Sequence, residues 1–127
     1  MSIPVELRNL ESVITRYRFA YLMTISDKGP PHAVQVAVTL EDGDLVIHNV
    51  GRRTRANALA RPDVGLVWPP ESETDYSLIV DGQAALTDES LRITPTRAVL
   101  HRSSSHPGPS TPGSCESDCV ELNLAPR

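Results

Sequence analysis

Cysteine, lysine and aromatic side chains are scarce in this chain, and each scarcity narrows what it can be. Two cysteines among 127 residues are too few for a disulfide scaffold, so the cytoplasm is the expected compartment. Lys28 is the only lysine, which leaves arginine to carry nearly all the positive charge. Arginine suits planar, bidentate recognition of phosphate or carboxylate. The formal net charge of -4 argues against a nucleic-acid protein, because counterion release needs a basic face running over many phosphates. No apolar run reaches membrane-spanning length, and the opening MSIPVELRNL has neither a basic n-region nor an apolar h-segment. No serine sits in a Gly-x-Ser-x-Gly elbow, and the carboxylates scatter through turns instead of pairing. Nucleophilic and glycosidic chemistry are therefore unsupported. The length allows one domain with a single core.

What is present is mostly strand periodicity. Leu7, Leu10, Ile14 and Tyr17 recur at helical spacing, which predicts an N-terminal helix over Pro4 to Arg18. Phe19 to Ser26 reads as a buried strand, closed by the turn DKGPP. In HAVQVAVTL, Val34, Val36 and Val38 alternate with smaller or polar residues, predicting a second strand over His32 to Leu40. An Asp-Gly pair then signals a hairpin into LVIHNV, the third strand. After Gly51, Arg55 to Ala60 reads as a short helix packing through Ala56, Leu59 and Ala60, and Pro62 ends it. DVGLVW, YSLIVDGQAAL and LRITPTRAVLH supply three more strands, with a bulge or bend expected at Gly82 and an edge or break at Pro95. Six short strands suggest a small barrel over residues 1–101. Residues 102–127 are rich in Ser, Pro and Gly, carry both cysteines and read as a mobile tail.

One segment needs a purpose. Gly51 to Arg61 holds Arg52, Arg53, Arg55 and Arg61 and no carboxylate, inside an acidic chain. Strand, glycine, arginines and short helix together make an anion site. Unpaired N–H groups open the helix, its dipole favours negative charge there, and guanidinium forks fit a phosphate. A solvated surface helix with scattered arginines is the simpler alternative, and this signal alone leaves both open.

The order of features from Phe19 to about Leu86 resembles the pyridoxamine 5'-phosphate oxidase-like family, whose members are flavin- and deazaflavin-binding split β-barrels. The resemblance rests on a turn ending in Gly29 and Pro31, an arginine-rich segment closing in Asn57 and Arg61-Pro62, the strand that follows, and the strand containing Val80-Asp81-Gly82. It implies a mainly β fold with few helices: a six-stranded split barrel with an N-terminal helix and one short helix after strand three. It also implies that an arginine after strand three grips the cofactor phosphate, and counting back from Pro62 places it at Arg53. The family's following lysine is Thr54 here, a departure that implies either that Arg52 or Arg55 supplies the charge or that the phosphate is held less tightly. Ile47 and His48 are implied to lie along the cofactor. Ser77 falls where some members have a glutamine near the ring.

FMN is the cofactor this resemblance implies first. An 8-hydroxy-5-deazaflavin coenzyme is the alternative, because TRAN is imperfectly similar to the Lys-Thr-Arg-Asn motif of deazaflavin-binding members. The expected function is that of an FMN-binding oxidoreductase acting on a small molecule, as a homodimer, since the family builds its site between two subunits. A reading of another class is a non-enzymatic flavin- or haem-binding carrier. A true pyridoxamine 5'-phosphate oxidase is not expected, because the terminal NLAPR lacks the tryptophan and arginine of that enzyme's ending. His48 and Trp68 could serve the site, although ordinary structural roles are expected for both. His32 is expected to face solvent. Cys115 and Cys119, with His101 and His106 upstream, read as a reduced pair, then a disulfide, then a zinc site. No metal is expected.

Overall fold

The computed structural model describes residues 3–103 and 117–119. Its strands are β1 (Ile3–Pro4), β2 (Ala20–Ile25), β3 (Pro31–Val36), β4 (Thr39–Glu41), β5 (Asp44–His48), β6 (Asp63–Trp68), β7 (Ser77–Leu86), β8 (Ser90–Ser103) and β9 (Ser117–Cys119). They form one antiparallel sheet in the order β3-β2-β6-β7-β8-β5-β4, with β1 and β9 added on β8. The helices are α1 (Leu10–Ile14) and α2 (Arg52–Ala60). This is a mainly β split barrel, as expected, although its strands divide differently.

The expected second strand, His32 to Leu40, is two. The chain pairs first with β2 (Leu22 opposite Val34), then breaks at Ala37 and Val38 and pairs with β5 (Thr39 opposite Val46). Val34, Val36 and Val38 all pack on the core across this break. A period of two therefore continues through the change of partner and hides it from a sequence reading. Asp42 and Gly43, with φ of 53° and 83°, make the tight turn between β4 and β5.

The N-terminal helix is shorter than expected. Ile3 and Pro4 pair with Leu100 and Val99, Leu7–Asn9 is a single 3-10 turn, and only Leu10–Ile14 is α-helical. Leu7, Leu10, Ile14 and Tyr17 still face the core, so the spacing reports burial correctly. Pairing with β8 overrides local helix preference at the start.

Alternation within the long strands fills the barrel. Ala20, Leu22 and Thr24 point inward from β2, Val64, Leu66 and Trp68 from β6, and Leu78 and Val80 from β7. The register between β7 and β8 shifts at Asp81 and Gly82, as the sequence suggested. Asp81 faces Arg97 and Gly82 faces Pro95, so Thr96 is the extra residue, and its hydroxyl donates to the Asp81 carbonyl at 3.2 Å. The bulge moves the inward phase from Leu91 and Ile93 to Ala98 and Leu100. Pro95 lies past Ile93, the last residue of β8 paired with β5, so its missing N–H breaks nothing on that side.

Helix α2 presents a different face from the one expected. Thr54, Asn57 and Ala58 are buried, while Ala56 and Ala60 are exposed and Leu59 is 74% exposed. The polar Asn57 goes inward because it has a partner there. Its side-chain amide donates to the hydroxyl of Thr24, itself fully buried, at 3.0 Å. This bond ties α2 to the inner face of β2. Beyond Ser103, the expected tail, including His106 and Cys115, lies outside the described residues apart from the strand pairing of Ser117–Cys119 with β8.

Candidate functional site

A cleft of about 590 Å³ opens where the sheet changes partner, and most of the sequence-predicted residues meet in it. One wall is β3 with His32, Val34 and Val36. The opposite wall is the end of β5, with Ile47 and His48, and the connection Asn49 to Gly51. Arg52, Arg53 and Thr54, the first residues of α2, form its floor. Its size is within the usual range for a small-molecule site.

The turn from strand to helix is made by Asn49, at φ 59°, whose N–H donates to the Glu89 carbonyl at 3.1 Å. Asparagine tolerates this left-handed conformation better than most residues. Gly51 is then extended and caps α2 without a side chain. The first N–H groups of the helix are left facing the same space as Arg52 and Arg53.

The arginine knot divides in two. Arg55 donates to the Thr87 carbonyl at 3.2 Å and fastens α2 to the β7–β8 hairpin, and Arg61 lies 3.7 Å from Asp27. Arg52 and Arg53 are exposed and, among the described residues, neither side chain has a hydrogen-bond or ion-pair partner. Thr54 is almost fully buried at the cleft's edge.

The remaining predicted residues fall as follows. Ile47 is buried and presents the cleft with an apolar surface. His48 is held by its neighbours: Nδ1 lies 2.8 Å from the Ser90 hydroxyl and Nε2 lies 3.6 Å from a Glu41 carboxylate oxygen. That fixes the ring at the rim, with the Glu41 carboxylate itself accepting from Thr39. Ser77 is not brought to this cleft; it begins β7 opposite His101. Next to it, Tyr76 lines a second cleft of about 770 Å³ with Arg16, Tyr17 and Phe19. Trp68 is buried in the core, in the structural role expected of it.

His32 corrects an expectation. It does not simply face solvent. It points inward opposite Thr24, lines the cleft, and has a buried Nδ1 with no hydrogen-bond partner among the described residues. A smaller cleft of about 310 Å³ adjoins, lined by Ser26, Gly29, Pro30, Pro31 and Asn57, and by His32 and Arg53. Among the described residues no cluster of His, Cys, Asp and Glu could hold a metal ion. No helix among them is long and apolar enough to cross a membrane.

Chemically, the cleft offers an apolar wall, two cations, a helix start and a histidine pair. That set fits a flat ring carrying a phosphate. The fold is shared with several solved structures. A FAD-binding protein from Mesorhizobium loti superposes with a TM-score of 0.63 at 16% identity, over 79% of this chain and 95% of that one. A candidate pyridoxamine 5'-phosphate oxidase from Listeria innocua gives 0.61 at 12% identity, over 74% and 96%. A structure named F420 reductase gives 0.56 at 18% identity, over 69% and 94%. The chain thus has the split β-barrel fold of the pyridoxamine 5'-phosphate oxidase-like proteins. Within that class it belongs to the family of two uncharacterized proteins, from Mycobacterium bovis and Mycobacterium tuberculosis. Each is 37% identical to it over 136 aligned residues, 94% of this chain and 96% of the relative. No protein-family model matches the chain.

Proposed function

We propose that the chain binds a flavin, FMN first, with its phosphate on Arg53 and the start of α2 and its ring across the cleft toward Ile47 and His48. The observation that carries this reading is the meeting of Ile47, His48, Arg52, Arg53 and Thr54 around one cleft at a helix N-terminus. Arg53 is the phosphate ligand and Arg52 the second cation, which offsets the absence of a lysine at Thr54. Arg55 is occupied at Thr87 and serves by holding the helix in place. Val34 and Val36 on one wall and Ile47 on the other keep water from the ring.

A bound flavin would supply hydride or electron transfer, and the side chains would supply position and field. His48, braced by Ser90 and Glu41, stands where it could hold a proton at the rim. A deazaflavin coenzyme is the second reading of the same cleft, favoured by the F420 reductase likeness in fold. A flavin or haem carrier without turnover is the reading from another class. The substrate is a small molecule in the oxidoreductase readings. A cytoplasmic location belongs to the proposal and rests on the near absence of cysteine.

The proposed assembly is a homodimer. Tyr21, Met23 and Ile25 leave an apolar stripe on the outer face of β2, 38–48% exposed, beside the cleft-lining β3. Ser77 and the second cleft would then be free to meet the partner's cofactor.

The test is an FMN titration of the purified protein. A charged hydrogen bond contributes about 1.5–3 kcal/mol, so Arg53→Ala should weaken FMN by roughly tenfold to a hundredfold. Equal affinities for the two proteins would remove the site. Absorbance of the protein as isolated separates the readings: flavin bands, a Soret band, or neither. An NAD(P)H or reduced-deazaflavin oxidation assay then separates enzyme from carrier.

A further inference from the structure

His32 and Arg53 are the two residues that the large and the small cleft share. They stand as a sill between the two spaces, one on β3 and one on α2. The position of His32 is set by pairing: it lies opposite Thr24, whose hydroxyl is taken by Asn57. The buried Nδ1 of His32 has no hydrogen-bond partner among the described residues. That leaves Nε2 as the ring nitrogen able to reach the clefts, where an N–H can donate to a ligand. What the ring can offer the two clefts it shares with Arg53 is then an N–H donor.

We infer that His32 is a phosphate ligand, a donor through Nε2 that works with Arg53 at the sill between the two clefts. This rests on the flavin reading above and adds a residue to it. A guanidinium from α2 and an imidazole N–H from β3 together recognise a phosphate by direction as well as by charge. The role needs the donor atom and not the positive charge, which makes it distinguishable from a simple electrostatic one.

The experiment compares FMN with riboflavin, which has the ring and lacks the phosphate, against three variants. Glutamine places an amide N–H close to where Nε2 sits, whereas asparagine reaches only as far as Nδ1. His32→Gln is expected to keep FMN affinity within about threefold. His32→Asn and His32→Ala are expected to weaken FMN by about tenfold or more and leave riboflavin affinity unchanged. Histidine NMR of the unmodified protein gives a second reading that needs no substitution. Adding FMN should shift the Nε2 resonance of His32 and riboflavin should not. Equal losses for FMN and riboflavin would assign His32 to packing alone and overturn the inference. So would an FMN affinity indifferent to all three changes. In either case, a surviving Arg53→Ala effect leaves the flavin reading intact. Failure of both FMN and riboflavin to bind the unmodified protein removes the flavin reading and this inference together.

Discussion

The bond between Asn57 and Thr24 is where the stability of the barrel and the placement of Arg53 meet, and it gives a quantitative test. Both groups are buried, at 6% and 1% exposure, and the amide donates to the hydroxyl at 3.0 Å. Replacing Asn57 by alanine strands the Thr24 hydroxyl in the interior, and replacing Thr24 by valine strands the amide. Each single change should cost about 1–3 kcal/mol, most of it the penalty for an unpaired buried polar group. The double change strands neither, so its cost should fall short of the sum by about 1 kcal/mol or more. Urea unfolding of the four proteins measures this, with the midpoint and the slope read separately. Costs that simply add, within about 0.3 kcal/mol, would show that the bond does not hold α2 to the sheet. Because α2 carries Arg52 and Arg53, the Asn57→Ala protein should also bind FMN more weakly, although no cleft contact has been deleted at Arg53 itself.

Three further outcomes follow from single features. A Cβ on Gly82 would stand 2.5 Å from a methyl carbon of Ile93 and 2.8 Å from the Thr94 carbonyl oxygen, so Gly82→Ala should destabilise by about 1–3 kcal/mol or prevent folding. An unchanged thermal midpoint would show that β8 can give way there. Tyr17 donates its hydroxyl to the Tyr76 carbonyl at 2.8 Å, and burial first, with Asp75 adding and Arg16 opposing, raises its pKa above the ordinary value near 10. The folded state thus keeps the phenol proton longer than the unfolded state does. This contribution is intact below about pH 10 and is lost as pH rises through the higher folded value. Tyr17→Phe should cost about 1 kcal/mol at neutral pH and flatten the alkaline loss of stability, and a pH series of urea midpoints checks both. Met23→Glu on the exposed stripe should leave the monomer folded and weaken self-association, read by sedimentation; an unchanged mass would place any dimer contact elsewhere.

Much of this was legible in the sequence, and the failures have physical causes. Arginine clustering between a strand and Pro62 pointed to the cleft, because backbone geometry after a strand leaves helix N–H groups unpaired. Which arginines serve it was not legible: Arg55 reaches Thr87, 32 residues away, and only the folded hairpin brings that carbonyl near. The buried face of α2 was misread because a buried amide with a partner packs as well as an alanine, and the partner, Thr24, lies in another strand. Two signals were available and unused. His32 is in phase with Val34 and Val36, so the same alternation that put the valines inward put the histidine inward too. Asn49, two residues before Gly51, is the kind of residue that takes a left-handed turn at a strand end.

The cleft itself follows from how the barrel is closed. A strand running straight from Pro31 to Glu41 would pair with one neighbour along its whole length, and its inward side chains would be covered like those of β6. Here the chain leaves β2 after Val36 and joins β5 at Thr39, with Ala37 and Val38 spanning the change. Two ladders that share a bent strand must diverge on either side of the bend. The space between them cannot be filled by strand side chains from both, and the first residues of α2 line it. Its helix start, with Arg52 and Arg53, is thereby directed into a gap walled by Val34, Val36 and Ile47. A cationic floor under apolar walls is an unfavourable surface for a closed core. It is a suitable one for a ligand that is flat and apolar at one end and doubly charged at the other.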